Sequence, residues 1–210
     1  MRKLALGIVA VVMMVGLVGC NPLGDIELNA GDNGIYIEDD GAVSYGSCEK
    51  FDKKYDDEDQ LEQQIDTEVA DFNKSKYSSV DDACSVEQFK ANSKEARLVL
   101  DFVTTYDFKN YMNNYAGFEP EGFYVGPISD NDKCEIKGTF KKPHSKETAT
   151  AKDIKKMKDC ILVTYTPFKV QVNGDIKYIS DNCKIDDDDV VSTSPNKGDL
   201  SYIIYDIDEE

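Results

Sequence analysis

Tryptophan is absent from this chain, and histidine occurs once, at His144 in the polar stretch KKPHSKE. A single imidazole in a solvated loop leaves serine or cysteine nucleophiles without a base, and GxSxG is missing as well. Cysteine is sparse and scattered: positions 20, 48, 84, 134, 160 and 183 contain no CxxC pair, which argues against a zinc site of close Cys and His ligands. GxGxxG and GxxxxGK[ST] both fail, so no glycine-rich phosphate loop is expected. The acidic runs IDDDDV (185–190) and SDND (129–132) lack the alternate ligands, sixth-position glycine and twelfth-position glutamate of an EF-hand, and read as solvated loops. The lack of Trp weakens a sugar-stacking role, although 12 Tyr could substitute.

Positive charge is also in deficit. The 24 Lys and Arg face 41 Asp and Glu, for a net charge of −17, which excludes nucleic acid as a partner and favours a soluble monomer. Long apolar runs are limited to one. Arg2 and Lys3 precede LALGIVAVVMMVGLVG (4–19), which is shorter than the roughly 20 apolar residues needed to span about 30 Å of hydrocarbon. It reads as a signal sequence rather than a permanent anchor.

The run ends in Leu17, Val18, Gly19 and Cys20, which resembles the lipobox of bacterial lipoproteins. That resemblance implies diacylglycerol on the Cys20 thiol, with possible N-acylation, and cleavage before Cys20 by signal peptidase II. It also implies a protein held on the extracytoplasmic face of the cell membrane. Two acyl chains hold firmly where one is marginal, at about 0.8 kcal/mol per buried CH2. Removal of residues 1–19 would leave 22 Lys and Arg against 41 Asp and Glu, a net of −19. Five cysteines would remain, an odd number, so either two disulfides with one free thiol or five thiols are open. Cys160, heading the apolar CILV, reads as core.

Patterning predicts the elements. Gly24–Gly46 reads as three short strands, on Ile26/Leu28, Ile35/Ile37 and Val43/Tyr45, with turns at GDNG and DDG. Leu61, Ile65, Val69 and Phe72 form one helical stripe, capped by Asp57 with Gln60. Residues 74–93 lack periodicity and read as a loop. EARLVLDFV is a strand, and a helix over about 106–115 follows with Thr104 or Thr105 as its cap. CEIKGTF, CILVTYTPFKVQV, DIKYIS and SYIIYDI are further strands, with a hairpin at Asn173-Gly174 and a small helix in TAKDIKKMKD capped by Thr150. There is no repeat and no βαβ rhythm. The expectation is an α+β fold, an antiparallel sheet of meanders and hairpins with two to three short helices packed on it. Residues 36–73, with FDxxYDDEDQLEQQI after the hairpin glycine, are similar to the N-terminal hairpin and helix of small lipoproteins of anaerobic Firmicutes; this implies a location and no reaction.

Charge is segregated. Between Lys137 and Lys158 eight lysines meet only Glu147 and Asp153, a local +6. Lys141, Lys142, Lys155, Lys156 and Lys158 are therefore candidate contacts to an anionic leaflet or wall polymer, at about 1 kcal/mol per lysine near such a surface. The simpler reading is neutralisation of an acidic face of the same domain. The expected organisation is a signal peptide (1–19), a lipid anchor and short linker (20–24) and one extracytoplasmic domain (25–210). That domain would bind the bilayer through Cys20, and an envelope polymer or a membrane protein beyond it, without catalytic, metal or cofactor chemistry of its own. The alternative is a cell-envelope hydrolase, which would need two carboxylates with raised pKa in one cleft.

Overall fold

The computed structural model describes residues 22–51, 57–116, 122–130, 135–187, 189–194, 196 and 198–206. Three helices and thirteen strands, forming two mostly antiparallel sheets, give the α+β class expected from the sequence. The strands are β1 (Asn33–Ile37), β2 (Val43–Lys50), β3 (Cys84–Ala91), β4 (Glu95–Phe102), β5 (Tyr124–Pro127), β6 (Thr139–Lys141), β7 (Thr148–Thr150), β8 (Cys160–Thr164), β9 (Lys169–Val172), β10 (Ile176–Ser180), β11 (Lys184–Asp187), β12 (Val190–Ser192) and β13 (Ser201–Tyr205). The helices are α1 (Glu58–Asn73), α2 (Thr105–Asn114) and α3 (Ala151–Ile154). Sheet A runs β11-β12-β9-β1-β2-β4-β3 and sheet B runs β5-β8-β13-β10-β6-β7, with β1 and β9 paired in parallel.

The inner faces share one core. Ile35, Ile37, Leu100, Val170 and Val191 of sheet A meet Leu162, Ile179 and Ile203 of sheet B, and Phe72, Phe108, Tyr111 and Met112 bring α1 and α2 into the same cluster. Both helices begin as their caps dictate. Asp57 accepts from Gln60 N at 3.1 Å, and Thr104 Oγ1 accepts from Asp107 N at 3.1 Å. A second core lies on the outer face of sheet B, where Ile154 of α3 covers Phe140, Ile161, Val163 and Ile204.

Several expectations are corrected. Ile26 and Leu28 form no strand: residues 23–28 cross the outer face of sheet A as a strap, with side chains wedged over glycines. The stretch at 74–93 contains β3, whose bulge between Val86 and Gln88 sets the core-facing Val86 and Phe89 three residues apart and erases the period of two. CILVTYTPFKVQV is two strands in different sheets, broken where Pro167 has no N–H to donate and Thr193 Oγ1 accepts from Phe168 N at 2.8 Å. Asn173-Gly174 makes no hairpin. Both edges of β9 are already taken by β1 and β12, so Asn173 N donates to Ile37 O at 2.7 Å and the chain crosses to sheet B. Ile185–Asp187 and Val190 of IDDDDV are not loop but belong to the antiparallel pair β11–β12, and among the described residues of CEIKGTF only Thr139 and Phe140, at the start of β6, are strand.

Candidate functional site

The outer face of sheet A is built around missing side chains. Gly34 and Gly46 are register partners, and the strap fills the space above them. A Cβ on Gly46 would stand 2.2 Å from Leu23 Cδ1, and one on Gly34 would stand 2.9 Å from Ile26 Cγ2. Leu23, Ile26 and Leu28 thereby cluster with Cys48, Val99 and Val190. Polar contacts pin the strap: Asp25 N donates to Gln171 Oε1 at 2.7 Å, and Lys169 Nζ donates to Glu27 O at 2.6 Å. Lys169 also pairs with Asp32 at 2.9 Å. Burial works to raise the Asp32 pKa, but the Asn29 N–H and Lys169 outweigh it and hold the carboxyl below its usual range. A cleft of about 400 Å³ opens beside the strap, lined also by Ser47, Gln88 and Arg97, and one of about 510 Å³ lies beyond Asp32, lined by Lys169, Asp186 and Thr193.

Beyond the strap lies a polar row. Gln171, Tyr36, Ser44, Asp101 and Ser85 are successive partners across five strands. Burial raises the Asp101 pKa against a hydrogen bond from Ser44, and Asp101 Oδ1 is buried without a partner. Glu38 is raised by burial and then by Asp40, Asp39 and Asp101. Both carboxylates are half-buried, and neither lines these clefts. The sequence had a signal for Asp101, a single acid between Leu100 and Phe102 in a strong strand. It had none for its pairing with Glu38, 63 positions earlier.

The lysine segment sits elsewhere, on the β6–β7 hairpin and α3, against the outer face of sheet B. Lys141 turns inward and donates to Cys183 O at 2.8 Å and Asp181 O at 3.3 Å. Lys142 pairs with Glu147 at 3.5 Å and Lys156 with Asp153 at 4.0 Å, both exposed. Lys155 and Lys158 are exposed. The structure thus separates the five: Lys141, paired with the core residue Ile179, is committed to the inner side of sheet B, while Lys142, Lys155, Lys156 and Lys158 are exposed.

Cys20 and Cys134 lie outside the described residues, as does the end of SDND. Cys48, Cys84, Cys160 and Cys183 are free thiols, each with a pKa raised first by burial, which opposes nucleophilic use. His144 stands exposed at the tip of the β6–β7 hairpin. Among the described residues no three His, Cys, Asp or Glu converge as metal ligands, and no helix is long and apolar enough to cross a membrane. No family model, curated protein or solved structure matches the chain.

Proposed function

We propose that the protein is a lipoprotein held on the extracytoplasmic face of the membrane through Cys20, acting as a non-catalytic binding domain. One observation carries the reading: among the described residues side-chain burial begins at Leu23, 4% exposed and three residues after the lipobox cysteine. Three residues reach about 11 Å at most, so a lipid on Cys20 would hold the strapped face of sheet A at the bilayer. The raised thiol pKa values, the exposed single histidine and the position of Glu38 and Asp101 outside the clefts beside the strap support binding over covalent chemistry. The lysine segment, on the opposite layer, favours wall polymer over the leaflet as its anionic contact. The test is acyl labelling with fractionation: Cys20→Ala is expected to abolish labelling and release the protein, and a variant still membrane-bound refutes the anchor.

Two carboxyls raised by burial, Glu38 and Asp101, with Asp101 adding to the Glu38 shift, are the observation that favours the second reading, a carboxylate hydrolase. Turnover of cell-wall polymer by the parent, lost in both Glu38→Gln and Asp101→Asn, would replace the binding reading with that one.

A further inference from the structure

Asp107 is fully buried, and its carboxylate closes a clasp. It accepts from Ser79 N and Ser79 Oγ, each at 2.7 Å, and from Thr104 Oγ1 at 2.5 Å, tying the segment before β3 to the start of α2. Each clasp residue has a chain neighbour that is apolar and exposed: Val80 (50%), Val103 (50%) and Tyr106 (58%). These are the exposed large apolar side chains among the described residues, and the hydrogen bonds of Asp107 to Ser79 and Thr104 hold their three chain neighbours in one neighbourhood. Scattered exposed apolar residues need no explanation, but three held together by the hydrogen bonds of one buried side chain do.

The rim of this patch is mainly acidic, with Lys109, one helical turn from Tyr106 on α2, as its cation. Asp81 and Asp82 follow Val80, with Asp82 in the left-handed region at φ 58. Asp101, in β4, precedes Val103, the first residue past the end of that strand, by two residues. One step beyond the Val43–Phe102 pair, Ala42 lies beside Val103, and Ala42 O accepts from Glu38 N at 3.0 Å. Asp39 and Asp40 complete that turn. No lysine or arginine lies in residues 36–44, 79–82 or 101–107. An anionic lipid or polymer is repelled by such a rim, whereas a cationic chain is attracted and steered.

We infer that this end of sheet A is a docking surface for a partner polypeptide segment that carries lysine or arginine around one or two apolar side chains. The apolar residues enter the Val80, Val103 and Tyr106 patch, and the cations meet Asp81, Asp82, Asp101 and Glu38. The inference rests on the binding-domain reading but not on the lipid anchor, which Cys20→Ala tests separately.

The experiment uses the full chain in phosphatidylcholine nanodiscs, with empty nanodiscs as the blank and fluorescence anisotropy of a labelled Lys–Leu alternating decapeptide as the readout. Lys–Ser and Gln–Leu decapeptides are the comparisons. The triple variant Val80→Ser, Val103→Ser, Tyr106→Ser changes no charge and removes no core residue. It is expected to bind the Lys–Leu peptide at least tenfold more weakly while unfolding at the parent's temperature. If the triple variant unfolds, Tyr106→Ser alone is read for a loss of about threefold. Equal binding by parent and variant would reduce the effect to net charge and overturn the proposal. So would Gln–Leu binding as tightly as Lys–Leu, or a concentration-dependent dimer of the parent that the variant loses, since a second copy would then be the occupant.

Discussion

Gly46→Ala tests the strap with the smallest possible perturbation. Gly46 has no positive φ, so alanine is unstrained there and any cost comes from the contact. The new Cβ would lie 2.2 Å from Leu23 Cδ1 and 3.0 Å from Leu28 Cδ1, so Leu23 must leave its seat. Full burial of a leucine side chain is worth about 1.5–3 kcal/mol, and overpacking costs about 1–3 kcal/mol, so a loss near 2 kcal/mol is expected. For a chain of this size that lowers Tm by about 4–8 °C. Leu23→Ala should cost about as much alone. Because both changes act on one contact, the double variant should lose clearly less than their sum, with a coupling of at least about 1 kcal/mol by urea denaturation. The same variant should lengthen the leash: freeing residues 23–28 adds up to about 20 Å between the lipid and the sheet, readable by energy transfer to a labelled bilayer. Strict additivity, or a Gly46→Ala cost below about 0.5 kcal/mol, would refute the seating of Leu23 on Gly46.

Asp107→Ala leaves Ser79 N and two hydroxyls without their acceptor and should cost about 3 kcal/mol, with accelerated hydrogen exchange at Ser79. Asp101 has its carboxyl pKa raised in the fold, so the folded state holds the proton more tightly and stability falls as pH climbs from about 3.9 through the folded value. Asp101→Asn should therefore flatten the pH–stability profile and stabilise the chain at pH 7 while changing little at pH 3; unfolding midpoints across that range check it. Lys141→Gln should cost about 1–2 kcal/mol by removing the donor to Cys183 O and Asp181 O, whereas Lys155→Gln and Lys158→Gln should stay within about 0.5 kcal/mol.

Local rules were legible in the sequence and sheet membership was not. Asp57 and Thr104 cap where side-chain chemistry requires, and the stripe from Leu61 to Phe72 faces the core because a period of 3.6 puts it on one side. What failed was decided at a distance. Asn173-Gly174 carries the strongest hairpin signal in the chain, yet a hairpin needs a free edge, and β1, 132 residues or more upstream, already occupies the one on its side of β9. Ile26 and Leu28 alternate as a strand would, but Gly34 and Gly46 offer them a groove that uses side chains rather than backbone hydrogen bonds. Lys169 looks like an ordinary strand lysine until Asp32 and Glu27 close around it. The lysine segment was visible as charge; only the fold divides it into an inward Lys141 and outward Lys155 and Lys158.

The layer order constrains what each surface can meet. From one side to the other the domain runs strap, sheet A, shared core with α1 and α2, sheet B, and α3 with the lysine segment. Packed layers stand about 10 Å apart, so three spacings separate the strap from α3 by about 30 Å. On the anchor proposal the strap lies at the bilayer, and a charge 30 Å away is several Debye lengths distant at the physiological value of about 8 Å. Lys155, Lys156 and Lys158 then gain nothing from an anionic leaflet, and their attraction is left for a polymer arriving from the outer side. The acidic end formed by Glu38, Asp101 and the clasp of Asp107 belongs instead to the strapped sheet. Opposite charges on opposite layers do not cancel locally, so the domain is polarised across its thickness, and the two proposed contacts, an anionic polymer at the lysines and a cationic segment at the acidic end, would not compete for one surface.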